Sequence, residues 1–316
     1  MQTQRIFLQT HEPLDFTFKQ TKDDFFVDEI SDIKFKGKGN FFILRIKKQS
    51  LSTWDLLSHI SEVLGIEEHL IGYAGLKDKN ATTTQYISIP INKSKEYKLL
   101  NNKNIKVIET FIHDKKLKIG DLVGNHFKIN LHNIDENSLF QIYQTLSQIQ
   151  KHGMPNYFGY QRFGKESNFE KSQRIIEGEE ILKDKKLEKF MKLAYQSYFF
   201  NGWLAARIEL SKKENSNKIL CLDGDVYNLN DRTTITGLLP GRDIVRAKTK
   251  AAEIEKKFDD IFIQEKGYRR DAWIKPYNIK NKYKKEEDTM MLEFSLPKSS
   301  YATVLIENIA NKNFTY

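Results

Sequence analysis

The 316 residues contain one cysteine, six prolines and no long apolar run, and each scarcity excludes something. With Cys221 alone, neither an intramolecular disulfide nor a thiolate metal cluster can form, which suits a reducing cytoplasm. No apolar stretch approaches the ~20 residues of a membrane span. The opening residues, Met1 to Gln9, lack the apolar segment of a secretory signal. A soluble, cytoplasmic protein with no membrane attachment is expected. Neither a P-loop nor a dinucleotide fingerprint occurs, and the run from Gly159 to Gly164 has the spacing of neither. The seven histidines give no metal site, since His126 and His132 lack the i,i+4 helical pairing of zinc hydrolases. The carboxylate pairs Asp23/Asp24 and Asp259/Asp260 read as solvent-facing, against a two-metal nuclease. No metal site is expected.

What the chain does hold is a globular composition, 39% hydrophobic and 29% charged, enough for one large domain or two ordinary ones. Lys+Arg 51 against Asp+Glu 42 leaves a net charge of +9, which favours a polyanionic partner, above all nucleic acid. Phenylalanine (21) and tyrosine (14) are plentiful. Aromatic faces for bases and cations for phosphates are the mix that single-stranded RNA or a flipped base requires.

The first half alternates between two periodicities. Leu14, Phe16 and Phe18 alternate as a strand, and residues 41–46 read as a buried one. Ser52 followed by Asp55 starts a helix, Leu56, Leu57, Ile60 and Leu64 give its apolar stripe, and Gly65 stops it. Ile87, Ile89 and Ile91 form one strand face, Ile105 and Val107 suggest another, and Phe127, Ile129 and Leu131 a third. Leu139, Ile142, Leu146 and Ile149 return to helical spacing. No regular βαβ alternation appears, so the expected class is α+β around a largely antiparallel mixed sheet. Residues 187–210 read as a long helix, and 246–270 as charged and helical in part. The tract 278–287 reads as a solvated crossing. Met290, Leu292, Phe294 and Leu296 alternate as a strand, and a last helix runs through Ile309. A helical insertion inside an α+β domain is the economical arrangement.

The loop from Gly72 to Gln85 sets Asp78 between Lys77 and Lys79, directly before an apolar strand. Neighbouring cations favour an ionised carboxylate with a lowered pKa, suited to nucleophilic work. On pattern alone, an ordinary loop aspartate closing an Asx-turn outweighs that reading. Asn125 and Phe127, at the start of a strand, can hydrogen-bond a uracil edge and stack on its face. A turn Asn followed by a core Phe fits as well, and Phe25 has the same two readings.

Four stretches resemble the TruD family of tRNA pseudouridine synthases. They are Ala74 to Gln85 with its Gly-Leu-Lys-Asp-Lys core, Lys116 to Phe127, Pro155 to Gly164, and Leu296 to Thr303. Weaker likenesses at 24–29, 194–201 and 236–241 fall in family order. The resemblance implies a pseudouridine-synthase-type α+β catalytic domain, residues 1–152 and 276–316, interrupted by a mainly helical inserted domain, 153–275. It implies isomerisation of uridine in RNA to pseudouridine without cofactor or metal, with uridine 13 of tRNA as the usual bacterial target. By motif, Asp78 becomes the nucleophile. Phe127 and Asn125 would hold the base, Phe25 and Tyr301 complete the substrate pocket, and Lys19 is a candidate cation beside Asp78. Tyr301 departs from the more frequent phenylalanine. A monomer that binds RNA, most of all tRNA, is expected, with a catalytically silent RNA-binding protein as the alternative.

Overall fold

The structure is a computed structural model that describes residues 4–164 and 169–314. Its first part runs β1 (Thr17–Phe18), β2 (Phe25–Ile30), β3 (Phe41–Gln49), α1 (Thr53–Leu64), β4 (Gly72–Tyr73), β5 (Thr82–Pro90), β6 (Ile105–His113) and β7 (Gly124–His132). The middle adds α2 (Glu136–His152), β8 (Met154–Pro155), α3 (Phe169–Ile176), α4 (Lys185–Lys213), β9 (Val226–Tyr227), β10 (Ile235–Leu239), α5 (Thr249–Glu255), β11 (Tyr268–Asp271) and β12 (Trp273–Ile274). Then come β13 (Tyr277–Lys284), β14 (Thr289–Pro297) and α6 (Ala302–Ala310). Among the described residues no helix is long and apolar enough to cross a membrane.

Two compact units emerge. A sheet unit comprises Phe16–Asp135 and Tyr277–Ser299, and a helical unit comprises Met1–Asp15, Glu136–Pro276 and Ser300–Tyr316. This division departs from the expected 153–275 boundary at both chain ends and at α2. The reason lies in long-range hydrogen bonds. Leu14 N–H donates to the Ala310 carbonyl at 2.9 Å, and Arg5 Nε donates to Glu307 Oε2 at 2.7 Å. These bonds tie the N-terminal segment to α6.

In the sheet unit the strands lie in the order β13-β14-β7-β2-β5-β3-β6, with β1 beside β7 and β4 beside β5. Every pair is antiparallel except β2 with β5, so the α+β class with a largely antiparallel mixed sheet holds. The alternations behave as expected: Phe127, Ile129 and Leu131 are buried on β7, and Met290, Leu292, Phe294 and Leu296 on β14. α1 covers one part of the sheet, pressing Leu56, Leu57, Ile60 and Leu64 into a core with Leu44, Ile46, Ile87 and Ile89. Burial of each such side chain contributes about 1.5–3 kcal/mol. The polar tract 278–287 is a strand for most of its length, contrary to expectation. As β13 it pairs with β14 alone at the sheet's edge, where exposed lysines 280, 282 and 284 are compatible with pairing and discourage another chain from adding.

The helical unit is built on the 29-residue α4, where Phe200, Trp203, Leu204 and Ile208 are buried. Arg207, a fully buried charge on the same helix, makes a two-pronged pair with Asp225 at 2.6 and 2.8 Å. The charged stretch 246–270 is helical in part, and its end enters β11 of a small sheet ordered β11-β10-β9.

The start of α1 is a complete capping box: Ser52 Oγ accepts from Asp55 N–H at 3.1 Å, and Asp55 Oδ2 accepts from Ser52 N–H at 2.9 Å. Ser52→Ala should therefore destabilise the protein by about 1 kcal/mol. Urea unfolding would read this as a lower midpoint at unchanged slope.

Candidate active site

The central strands place the site. Register carries one row of side chains across five neighbours: Phe294 on β14, Phe127 on β7, Val27 on β2, Thr83 on β5 and Lys48 on β3. In the next row Leu296, Asn125 and Glu29 stand side by side. Asp78 lies in the loop that leads into β5.

The two lysines that flank Asp78 in sequence part company in space. Lys77 turns inward, and its ammonium lies 2.5 Å from Glu29 Oε2, with both side chains buried. Its main-chain N–H donates to Thr53 Oγ1 at 2.9 Å, and that hydroxyl donates to buried Gln85 at 3.2 Å. Glu29 also accepts from Tyr86 N–H through Oε1 at 3.2 Å. Lys79 stays at the surface, 3.8 Å from Asp55. The second inward cation comes from β3: Lys48, wholly buried, donates to the carbonyls of Leu51 and of Asp78, the latter at 3.3 Å.

Asp78 itself is exposed, yet protein atoms crowd its carboxylate. That crowding raises its pKa above the ordinary aspartate value, against the opposing pull of Lys48 and Lys77. The direction is the reverse of what the flanking lysines led us to expect, because one of them is spent on Glu29 and desolvation outweighs the rest. Since water still reaches the side chain, the effect is smaller than in a sealed core. Burial also lowers Lys48 to about 8, with Asp78 acting to raise it and Lys77 to lower it.

Lys19 is exposed and makes no ion pair among the described residues; the cations acting on Asp78 are Lys48 and Lys77. Phe25 and Phe127 are 1% and 5% exposed. They pack at 6.1 Å, and Phe127 stacks on Phe294 at 5.4 Å, so both belong to the sheet's aromatic core. Asn125 is half-buried, and its Oδ1 is shielded from solvent without a hydrogen-bond partner. Such an orphaned acceptor costs about 1–3 kcal/mol and is suited to a ligand's N–H. Gly124 lets β7 come this close: a Cβ there would stand 2.2 Å from the Leu296 carbonyl.

Tyr301 belongs to the helical unit. Its ring meets Phe158 edge-on at 6.0 Å, and Arg270 lies 5.9 Å from its centre. The loop beneath is clamped to α4, where Asn201 accepts from Phe158 N–H and donates to its carbonyl, both at 2.9 Å. Gly159 fits under Tyr301, since a Cβ would come within 3.0 Å of the ring.

Lys48 and Glu29 escaped the sequence reading, though a signal existed. Both continue the buried parity of their strands: Phe42, Leu44, Ile46, Lys48 on β3, and Phe25, Val27, Glu29 on β2. A charge at an inward position must find a partner.

Comparison with known proteins fits this arrangement. The family model for tRNA pseudouridine synthase D (TruD) matches residues 3–193 and 180–309. The chain belongs to the TruD family. Curated TruD relatives from Nitratiruptor sp. and Wolinella succinogenes are both 37% identical to it, each over 98% of both chains. A TruD relative from Helicobacter pylori strain J99 is 32% identical over 96% of this chain and 94% of its own. In fold, the chain is similar to the crystal structure of a candidate TruD protein from Methanosarcina mazei. The TM-score is 0.71 at 22% identity, covering 98% and 96% of the two chains. Within this TruD chain the motif from Ala74 to Gln85 carries Asp78, Lys77 and Gln85 together, and the motif ending at Phe127 supplies Asn125.

Glu29→Gln should destabilise the protein by about 3–5 kcal/mol, because it strands a buried ammonium. Adding Lys77→Met should recover much of that loss in urea unfolding. The Lys48 value sets a pH dependence of opposite sign for folding and for function. Above about pH 8 the native state sheds this proton, while an unfolded lysine keeps its own to ~10.4. The folded state's burial penalty thus relaxes as pH rises, whereas the charge holding the Asp78 loop is lost. Turnover should fall as pH rises through about 8, and Lys48→Arg, whose charge persists at all working pH, should move that limb upward in a pH–rate profile.

Proposed function

We propose that this chain isomerises uridine to pseudouridine in tRNA, at uridine 13, with Asp78 as the nucleophile and no cofactor. The observation that carries the reading is the Asp78 loop, in which an exposed carboxylate has its main chain held by Lys48 and its neighbour Lys77 anchored to Glu29. Family membership over nearly the whole chain supplies the reaction class.

In this mechanism the target nucleotide leaves its stack, at a cost of a few kcal/mol. Asp78 promotes breakage of the C1′–N1 bond, through a covalent adduct at C1′ or a glycal. The freed uracil turns, and C5 bonds to C1′ as the bond to Asp78 breaks or, from a glycal, as C2′ regains its proton; the C5 proton then passes to solvent and N1 takes one up. Asp78 must be ionised for this. Its raised pKa therefore places the loss of activity on acidification above the ordinary aspartate range of ~3.9. Asn125 offers its unpartnered Oδ1 to the base N3–H. Phe127 and Phe25 act as the wall behind the base, because so little of either ring is exposed. Tyr301 adds a half-buried ring, and Lys19 an exposed cation for the backbone of the RNA. The inserted segment 153–275 serves RNA binding, and the protein works as a monomer in the cytoplasm.

The test is tritium release from tRNA carrying 5-tritiated uridine. Wild type should release it, with EDTA making no difference. Asp78→Asn should lose at least about 100-fold in rate while its tRNA affinity stays within a factor of about two. Full turnover by Asp78→Asn would sink the assigned nucleophile, and tRNA binding by wild type without base change would leave an RNA-binding protein.

A further inference from the structure

Two guanidinium groups in the helical unit lack any acidic partner. Arg270 lies 4.0 Å above the centre of the Phe158 ring, and Arg162 lies 5.3 Å from the same centre. Arg270 is spoken for on one side: Nε donates to the Asn156 carbonyl at 2.9 Å, and Nη2 to Asn156 Oδ1 at 2.8 Å. Arg162 donates from Nε to Ser197 Oγ at 3.2 Å. Among the described residues neither forms a salt bridge, and Nη1 of Arg270 and both terminal nitrogens of Arg162 make no hydrogen bond. The neighbouring carboxylate, Asp271, accepts from Asn228 at 2.6 Å instead.

Among the described residues the two fully buried guanidinium groups each have an acid: Arg5 has Glu307, and Arg207 has Asp225. Here two like charges share one aromatic ring, and each disfavours the other. Desolvation first, and Arg162 after it, lower Arg270 to about 10. An arrangement so costly on its own is suited to an anion that bridges the pair. The surroundings agree. α6 begins beside this cluster, directly after Tyr301, with no side-chain cap on its first turn, and such a terminus favours negative charge. Ser300 Oγ, one residue earlier, is shielded and has no hydrogen-bond partner.

We propose that Arg162 and Arg270 form a subsite for one phosphodiester group of the RNA, next to the Phe158–Tyr301 ring pair. Planar guanidinium forks match phosphate oxygens in two-pronged fashion, and the flanking rings exclude water from the contact. The subsite rests on the reading that the chain takes RNA, and it adds where on the helical unit the backbone is gripped.

The experiment measures tRNA affinity of the full-length protein between about 50 and 200 mM salt. Arg162→Gln should reduce the slope of log K against log salt by about 0.7–0.9, the share of one phosphate contact, while Arg162→Lys should keep the wild-type slope. An unchanged slope in Arg162→Gln overturns the subsite, as does weaker binding of both variants at wild-type slope, which marks a merely structural arginine. Millimolar inorganic phosphate serves as a second probe. Loss of its binding in Arg162→Gln without a change in the tRNA slope identifies a free-phosphate site and rejects the RNA contact. Pseudouridine formation is followed in parallel. The slope change without any product keeps the subsite and rejects the isomerase reading; product with an unchanged slope does the reverse.

Discussion

Glu29 and Lys77 form an ion pair out of reach of water, between a central strand of the sheet and the loop that carries Asp78. Neither charge tolerates the interior alone. Each therefore dictates where the other must be, and the loop cannot drift without stranding one of them. The neighbouring bonds extend the constraint: Thr53 at the start of α1 holds the Lys77 main chain, and Lys48 holds that of Asp78. The cap of α1, the register of β2 and the parity of β3 all converge on one carboxylate.

The helical unit solves a similar problem with hydrogen bonds to main chain. Asn201 pairs with both polar groups of Phe158, and Arg270 reaches the carbonyl and side chain of Asn156. Gln196 does the same for the carbonyls of Pro240 and Lys266, at 2.6 and 3.0 Å. Amide and guanidinium groups thus fix irregular segments that have no ladder of their own.

Much of this was legible in the sequence, and the reasons are particular. Ser52, Asp55 and Gly65 bounded α1 because caps act locally, and β7 and β14 announced themselves by strict alternation. β13 was not legible: an edge strand with one neighbour needs little apolar surface, so its lysines resembled a loop. The division into two compact units was not legible for a related reason, since long-range bonds such as Arg5 to Glu307 leave no periodic trace. At the site, motif likeness singled out Asp78 and Asn125. Their surroundings depended on which way each lysine turned: Lys77 and Lys79 look alike in a string and point to opposite environments.

The lone parallel pairing has a bearing on how the molecule assembles. Phe26 meets Thr82 across more than fifty intervening residues, because parallel neighbours cannot be joined by a tight turn and need a crossover. β3, α1 and β4 lie within that crossover, and the Asp78 loop is its last segment, directly before β5. Closing it has an entropic cost that the β2–β5 pairing must offset. A change that loosens this pairing would therefore free the reactive loop at the end nearest Asp78, while the antiparallel ladder of β3 with β6 could stay intact.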